Sequence, residues 1–311
     1  MSFDHNTTTD EVLAGVDLSG ARALVTGASG GLGEETARAL AAKGAAVTIA
    51  ARDSAKTEAA AARIRESTGN EQVDTGLLEL DKPASVQAFA EDWLSRHDRL
   101  NLLINNAGVM ACPLTRTAEG WELQFATNHL GHFLLTSLLV PALKAGAPAR
   151  IVNLSSSGHR RSPVHLDDPH FEHRDYDPFE AYGQSKTANI WFSMELNKRL
   201  AESGITANAV HPGGIVTDLG RHLSDEIRAT MTEQLEKSGI QLKSVPAGAA
   251  TSVWAATTAE LEGRGGLYLE DCHIADPAEE GGSSGYAPHA YDEAGAAKLW
   301  SLSEELLGRS F

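Results

Sequence analysis

Ala23-Leu24-Val25-Thr26-Gly27-Ala28-Ser29-Gly30-Gly31-Leu32-Gly33 decides how the rest of the chain is read. A short apolar run of strand character ends on a glycine cluster. An Ala-rich stretch over residues 34–43, with Leu40 inward, follows it, and Gly44 stops that stretch as a C′ residue would. Strand, tight turn and helix open a parallel α/β sheet, whose ligands bind beyond the carboxyl ends of the strands. Gly27 allows the tight turn, Gly31 lets the backbone approach a pyrophosphate, and Gly33 lets the helix pack close to the sheet. Free N–H groups along Ser29, Gly30, Gly31 and Leu32, with the helix dipole, then hold phosphates. A glycine cluster standing alone also reads as an ordinary flexible turn; the flanking strand and helix favour the nucleotide.

Working outward, strand and helix patterns alternate. Strands are expected at 23–26, 47–50, 77–80, 100–104, 151–154, 206–210 and 266–269. Pro83 opens a helix whose apolar face is Val86, Phe89, Ala90 and Trp93, and helices are expected over 121–143 and 181–202. Strands separated by helices imply a Rossmann-type, doubly wound α/β domain: a seven-stranded parallel sheet with helices on both faces. The expected organisation is an N-terminal extension over 1–18 and one domain over 19–311. Two stretches break the rhythm: a polar one at 157–180 and a charged, helical one at 219–245. Long irregular segments in such folds are usually functional loops or mobile flaps.

The 311 residues are 42% hydrophobic with a net charge of −16, within the range of a single α/β core. That acidity repels phosphate backbones, so no nucleic-acid partner is expected. No apolar run approaches a membrane span, and residues 1–10 lack the basic and apolar regions of a secretory signal. Two cysteines, Cys112 and Cys272, make a disulfide framework improbable. A soluble cytoplasmic protein fits these features; a surface interaction protein of the same bulk composition does too.

The second expected strand ends Ala50-Ala51-Arg52-Asp53. In dinucleotide folds this region meets the adenosine ribose, where a carboxylate suits the 2′-hydroxyl of NAD and an Arg suits a 2′-phosphate. Arg52 comes first and the acid one residue late, so NADP is favoured, with NAD the alternative. Both residues also read as the solvated start of a helix.

Tyr182 and Lys186 stand four apart in Ala181-Tyr-Gly-Gln-Ser-Lys-Thr-Ala-Asn189, a stretch of helical character that sets both side chains on one face. An ammonium beside a phenol favours the phenolate and lowers its pKa, suiting it to trade a proton with an alcohol or carbonyl oxygen. Taken alone, the pair equally describes a surface Tyr beside a solvated Lys.

Together these motifs resemble the short-chain dehydrogenase/reductase family over about residues 18–307. Thr26-Gly-x-x-x-Gly31-x-Gly33 is similar to its glycine motif, and Asn105-Asn106-Ala107-Gly108 to the motif that ends the fourth strand beside the cofactor. The resemblance implies that Asp81 contacts adenine. It also implies that Asn128, Ser156, Tyr182 and Lys186 form the catalytic tetrad. Pro212, Gly213 and Thr217, within His211-Pro-Gly-Gly-Ile-Val-Thr217, would flank the nicotinamide. Asn106-Ala-Gly-Val-Met110-Ala-Cys112-Pro113, Thr127-Asn128-His129-Leu-Gly-His132-Phe133 and the 26-residue gap from Ser156 to Tyr182 are similar to the retinol-dehydrogenase-like, WW-domain-oxidoreductase-like branch.

The resemblance implies hydride transfer between a nicotinamide and an alcohol or carbonyl carbon, with Tyr182 as general acid or base. Lys186 would lower its pKa and bond the ribose, Ser156 would hold the substrate oxygen, and Asn128 would anchor a water. C=C reduction of the protochlorophyllide-reductase type and a non-catalytic NADP-sensing regulator remain as alternatives. The partner is a small alcohol, aldehyde or ketone. The 219–245 stretch is expected to form part of a lid over the substrate, and its Leu223, Ile227, Met231, Leu235 and Ile240 suit a lipophilic or aromatic one, and equally an amphipathic helix packed on the body. A homodimer or homotetramer is possible, and the oligomeric state stays open. His159, His165, His170 and His173 crowd the polar segment with Asp167, Asp168, Glu172 and Asp175, but their spacing fits no helical ligand pair, and no metal is expected.

Overall fold

The structure, a computed structural model, describes residues 3–223, 226, 227, 229, 230, 233, 241–279, 282 and 284–311. Chain order gives α1 (Thr9–Val12), β1 (Arg22–Thr26), α2 (Gly31–Ala42), β2 (Ala46–Ala51), α3 (Ser54–Thr68), β3 (Val73–Leu77), α4 (Pro83–Arg96) and β4 (Leu102–Asn105). A short α5 (Leu123–Phe125) runs through a π-helical turn, Ala126–Leu130, into α6 (Gly131–Ala145). Next come β5 (Ala149–Leu154), α7 (Pro178–Leu200), β6 (Ile205–His211), α8 (Val245–Thr257), β7 (Tyr268–Glu270), β8 (His273–Ile274) and α9 (Glu293–Leu307).

The sheet order is β3-β2-β1-β4-β5-β6-β7-β8. All neighbours are parallel except the short β8, which folds back antiparallel on β7. The doubly wound class is therefore as expected, with an eighth strand added. The order reverses between β1 and β4, and their carboxyl ends deliver Gly27 and Asn106 to the same crevice.

Successive residues of the central strands point to opposite faces. Val25, Ile49, Ile104, Val152 and Val210 pack with Leu40, Ile64 and Trp254 of α2, α3 and α8. Leu24, Leu103 and Ile151 pack with Phe89 and Trp93 of α4, Phe133 and Leu135 of α6, and Phe192 and Leu196 of α7. The N-terminal stretch joins the first of these cores through Val12 and Leu13. On the other side, α9 lies along α7, and its Trp300 meets Phe133 edge-to-face.

One strand falls elsewhere than its apolar run. β3 is Val73–Leu77, in register Val47↔Val73 to Ala51↔Leu77 with β2, rather than 77–80. It is the edge strand and half-exposed, so it needs little apolar sequence. Leu78 and Leu80 are buried just beyond it, in the turn that enters α4.

Candidate active site

The glycine turn is held open at its tip and closed at its base. Gly27 has φ +67°, and a Cβ there would lie 2.7 Å from Ala107 Cα. At Gly33 a Cβ would lie 2.6 Å from Gly27 O and 2.5 Å from Asn106 Nδ2, so only glycine lets α2 sit this close. A Cβ at Gly30, by contrast, meets nothing within 4 Å, and one at Gly31 meets only Thr217, at 3.7 Å. Gly30 caps α2 with no side-chain bond to its first N–H groups, and the Ser29 side chain makes no bond among the described residues. An uncapped helix start beneath bare backbone fits the phosphates of a dinucleotide, which residues 29–33 could hold. Leu32 turns away from this tip, toward Gly248 of α8.

Asn106 braces the turn, donating from Nδ2 to Thr26 O at 2.7 Å, while Asn106 N and Ala107 N both donate to Thr26 Oγ1 at 3.0 Å. Asp53 is the N-cap of α3, accepting from Lys56 N at 3.0 Å. Arg52 beside it is exposed and makes no hydrogen bond or ion pair among the described residues. Asp81 is half-buried where the chain enters α4.

Asn128 sits in the π turn between α5 and α6. Its Oδ1 accepts from Val109 N at 2.9 Å, and its Nδ2 donates to Ser185 Oγ at 2.9 Å and Val109 O at 3.0 Å. Ser185 donates to Tyr182 O, so the π turn is tied to α7 between the two residues of the Tyr–Lys pair. α7 begins at Pro178, with Asp177 capping Phe179 N and Glu180 N. Tyr182 and Lys186 lie on one buried face of it, and Lys186 Nζ stands 5.5 Å from the centre of the Tyr182 ring. Nζ donates to Leu154 O at 2.9 Å. Next to it, a Cβ on Gly108 would lie 3.6 Å from Nζ and 3.2 Å from Asn128 Oδ1. Ser156 Oγ accepts from Gly158 N at 3.0 Å, and the Ser156 side chain lies beside the Tyr182 hydroxyl. The four expected tetrad residues are thus brought together.

The electrostatics differ from the sequence expectation of an acidified phenol. Burial pushes the Tyr182 hydroxyl up to about 12, with the neighbouring Ser156 side chain pulling the other way. Burial likewise draws Lys186 down to about 7. Both shifts favour the neutral form, because desolvation outweighs an ammonium aimed at Leu154 O.

Past β6, His211 Nδ1 accepts from Ser157 N at 3.2 Å and Gly213 N at 3.4 Å, linking the serine segment to Pro212 and Gly213. Thr217 caps the next turn, Asp218–His222. Of the expected lid, Leu223 and Ile227 are half-buried, while Met231, Leu235 and Ile240 lie outside the described residues.

The polar segment 157–180 is pinned rather than loose. His159 Nε2 accepts from Ala287 N at 3.0 Å, which leaves the ring proton on Nδ1 to meet Ser156 O at 2.6 Å. Asp168 accepts from Glu172 N, His173 N and Arg174, and His170 Nδ1 from Glu122 N. Tyr176 reaches Cys112 O at 2.8 Å and the buried Glu122. These histidines and acids are committed to protein partners, and among the described residues no group of three or more His, Cys, Asp or Glu is arranged to hold a metal. Both cysteines are free and buried, with thiols pushed up to about 11. Sequence reasoning missed the wiring of His132, His159, Gln124 and Tyr176; His132 was visible only as part of the Thr127–Phe133 motif, and His159 only as one of the histidines weighed for a metal.

The family described as short chain dehydrogenase matches residues 21–228. The chain belongs to the short-chain dehydrogenase/reductase family. It is 44% identical to a short-chain dehydrogenase/reductase of Penicillium roqueforti, over 92% of this chain and 85% of that one. It is also 44% identical to mouse retinol dehydrogenase 11, over 94% of this chain and 88% of the relative. The fold superposes on the NADP complex of Pseudomonas aeruginosa RhlG with a TM-score of 0.66 at 27% identity, covering 82% of this chain and 95% of that one. Members of this family are NAD(P)-dependent oxidoreductases, and this chain is one of them. No described helix is long and apolar enough to cross a membrane.

Proposed function

We propose that the protein is an NADP-dependent reductase of lipophilic or aromatic aldehydes and ketones, catalysing the corresponding alcohol oxidation in reverse. The observation that carries this reading is the buried Tyr182 hydroxyl beside Ser156, at the crevice that Gly27–Gly33 and Asn106–Gly108 line. When bound, the nicotinamide supplies the hydride to the carbonyl carbon. Ser156 holds the carbonyl oxygen, and Tyr182 gives it a proton. Burial keeps that proton on the phenol at neutral pH, the form a general acid requires. Lys186 orients the ribose and Asn128 fixes the turn behind it. Residues 29–33 hold the pyrophosphate, Asp81 the adenine, and Pro212, Gly213 and Thr217 the nicotinamide end.

Two observations support the finer assignments. Asp53 is occupied as a helix cap while Arg52 makes no hydrogen bond or ion pair among the described residues, which suits a 2′-phosphate better than a ribose hydroxyl. Val216, 78% exposed, and Leu242, 43% exposed, set apolar side chains beside the 212–217 segment, matching an apolar substrate. The retinol dehydrogenase among the relatives points the same way.

The test is a panel of aldehydes, ketones and alcohols followed at the nicotinamide absorbance with NADPH and NADH. NADPH turnover should exceed that with NADH, and Arg52→Ala should raise the KM for NADPH about tenfold or more while barely moving that for NADH. Higher kcat/KM with NADH than with NADPH would remove the assignment of Arg52.

A further inference from the structure

We propose that His132 is a positioning residue, a neutral imidazole strut that couples the glycine turn holding the dinucleotide to the π turn carrying Asn128. The inference rests on reading that crevice as the cofactor site.

The strut follows from donor and acceptor counting. His132 is fully buried on α6, with Nδ1 3.0 Å from Asn128 O and Nε2 2.9 Å from Thr26 Oγ1. Asn128 O can only accept, so the ring proton lies on Nδ1 and Nε2 must accept. Thr26 Oγ1 already accepts from Asn106 N and Ala107 N, both at 3.0 Å. Its remaining proton has two acceptors in reach: Ile104 O at 3.5 Å and His132 Nε2 at 2.9 Å. The shorter contact takes it. Each group in the chain Asn106/Ala107 N–H, Thr26 O–H, imidazole, Asn128 C=O is then used once.

At one end the chain reaches Thr26 and the base of the glycine turn. At the other it meets Asn128, whose side chain bonds Val109 and Ser185, and through Ser185 the backbone of Tyr182. Burial and the nearby Lys186 charge hold the imidazole near a pKa of 4, so the accepting form of Nε2 persists at any working pH. A Phe of similar volume fills the space and makes neither bond. The glycine turn and the Asn128 turn then settle independently, and misplacement on the scale of an ångström costs catalysis heavily.

The experiment measures NADPH Kd by nucleotide fluorescence, kcat at saturating NADPH, and Tm. It compares wild type with His132→Phe, His132→Asn, Thr26→Val, and Thr26→Val combined with His132→Phe. His132→Phe should raise Kd and lower kcat, each by about tenfold. The double variant should be no worse than Thr26→Val alone, since residues acting through one bond are not additive. His132→Asn keeps a donor at the Nδ1 position and loses the reach to Thr26. It should therefore recover kcat and still bind NADPH weakly, a split that simple core filling does not produce, and it serves if the Phe variant fails to fold. Wild-type Kd and kcat in the Asn or Phe variant, or fully additive losses in the double variant, overturn the strut. Wild-type protein that binds neither NADPH nor NADH overturns the cofactor reading along with it, whereas binding that is strong in wild type and equal in the variants overturns the strut alone.

Discussion

A phenol and an ammonium one helical turn apart have two competing influences on each other's protons. Attraction to the cation lowers the phenol pKa; burial raises it. Here burial wins: Tyr182 is pushed up to about 12 and Lys186 drawn down to about 7. The spacing in the sequence revealed the pair but not its balance, which depends on how much chain closes over it and on Nζ turning to Leu154 O. The glycines make a second contrast at this scale. Gly33→Ala must displace backbone at 2.6 Å, so it should cost about 1–3 kcal/mol of stability in urea unfolding. Gly30→Ala meets nothing within 4 Å, so it should leave stability intact yet weaken NADPH binding, because its methyl occupies the face offered to the phosphates. Equal stability in the two variants would contradict this division of labour.

At the level of elements, apolar periodicity was enough to find the central strands. β1, β4, β5 and β6 are buried on both faces and each carries a mostly apolar stretch. The edge strand β3 was misplaced because Val73-Asp74-Thr75-Gly76-Leu77 has no such run. β8 has only two residues and no signal to read. The π turn at Ala126–Leu130 lay inside an ordinary helical pattern, since one extra residue in a turn leaves no compositional trace. Of the candidate site, Tyr182, Lys186, Asn128 and Ser156 were legible as spaced residue types, and the structure brings them together. Their supports were not: His132, His159 and Gln124 act through backbone carbonyls and N–H groups that only the folded chain brings near.

Across the whole molecule, the same burial that tunes the crevice sets a common acid limit. His129, His132, His159 and His211 are held neutral from three different segments, with pKa values drawn down from 6.5 to about 3, 4, 4 and 3. A folded pKa below the unfolded one for a base means that the unfolded chain binds more protons as pH falls. Stability is therefore whole above 6.5 and is lost as pH drops toward 4. Each imidazole forfeits about 1.4 kcal/mol per pH unit in that window. Urea unfolding should show a loss of about 5 kcal/mol between pH 7.5 and 5.5, well above the range where carboxylates titrate. A flat profile across that interval would mean the four rings are not held neutral together.

The account depends most on the Tyr182 hydroxyl as the group that moves the proton. Tyr182→Phe keeps the ring and its packing while removing that oxygen. Stopped-flow and steady-state measurement on the best carbonyl substrate should show turnover lowered by at least about a thousandfold, with the Kd for NADPH within about twofold of wild type. Turnover within tenfold of wild type would contradict the account.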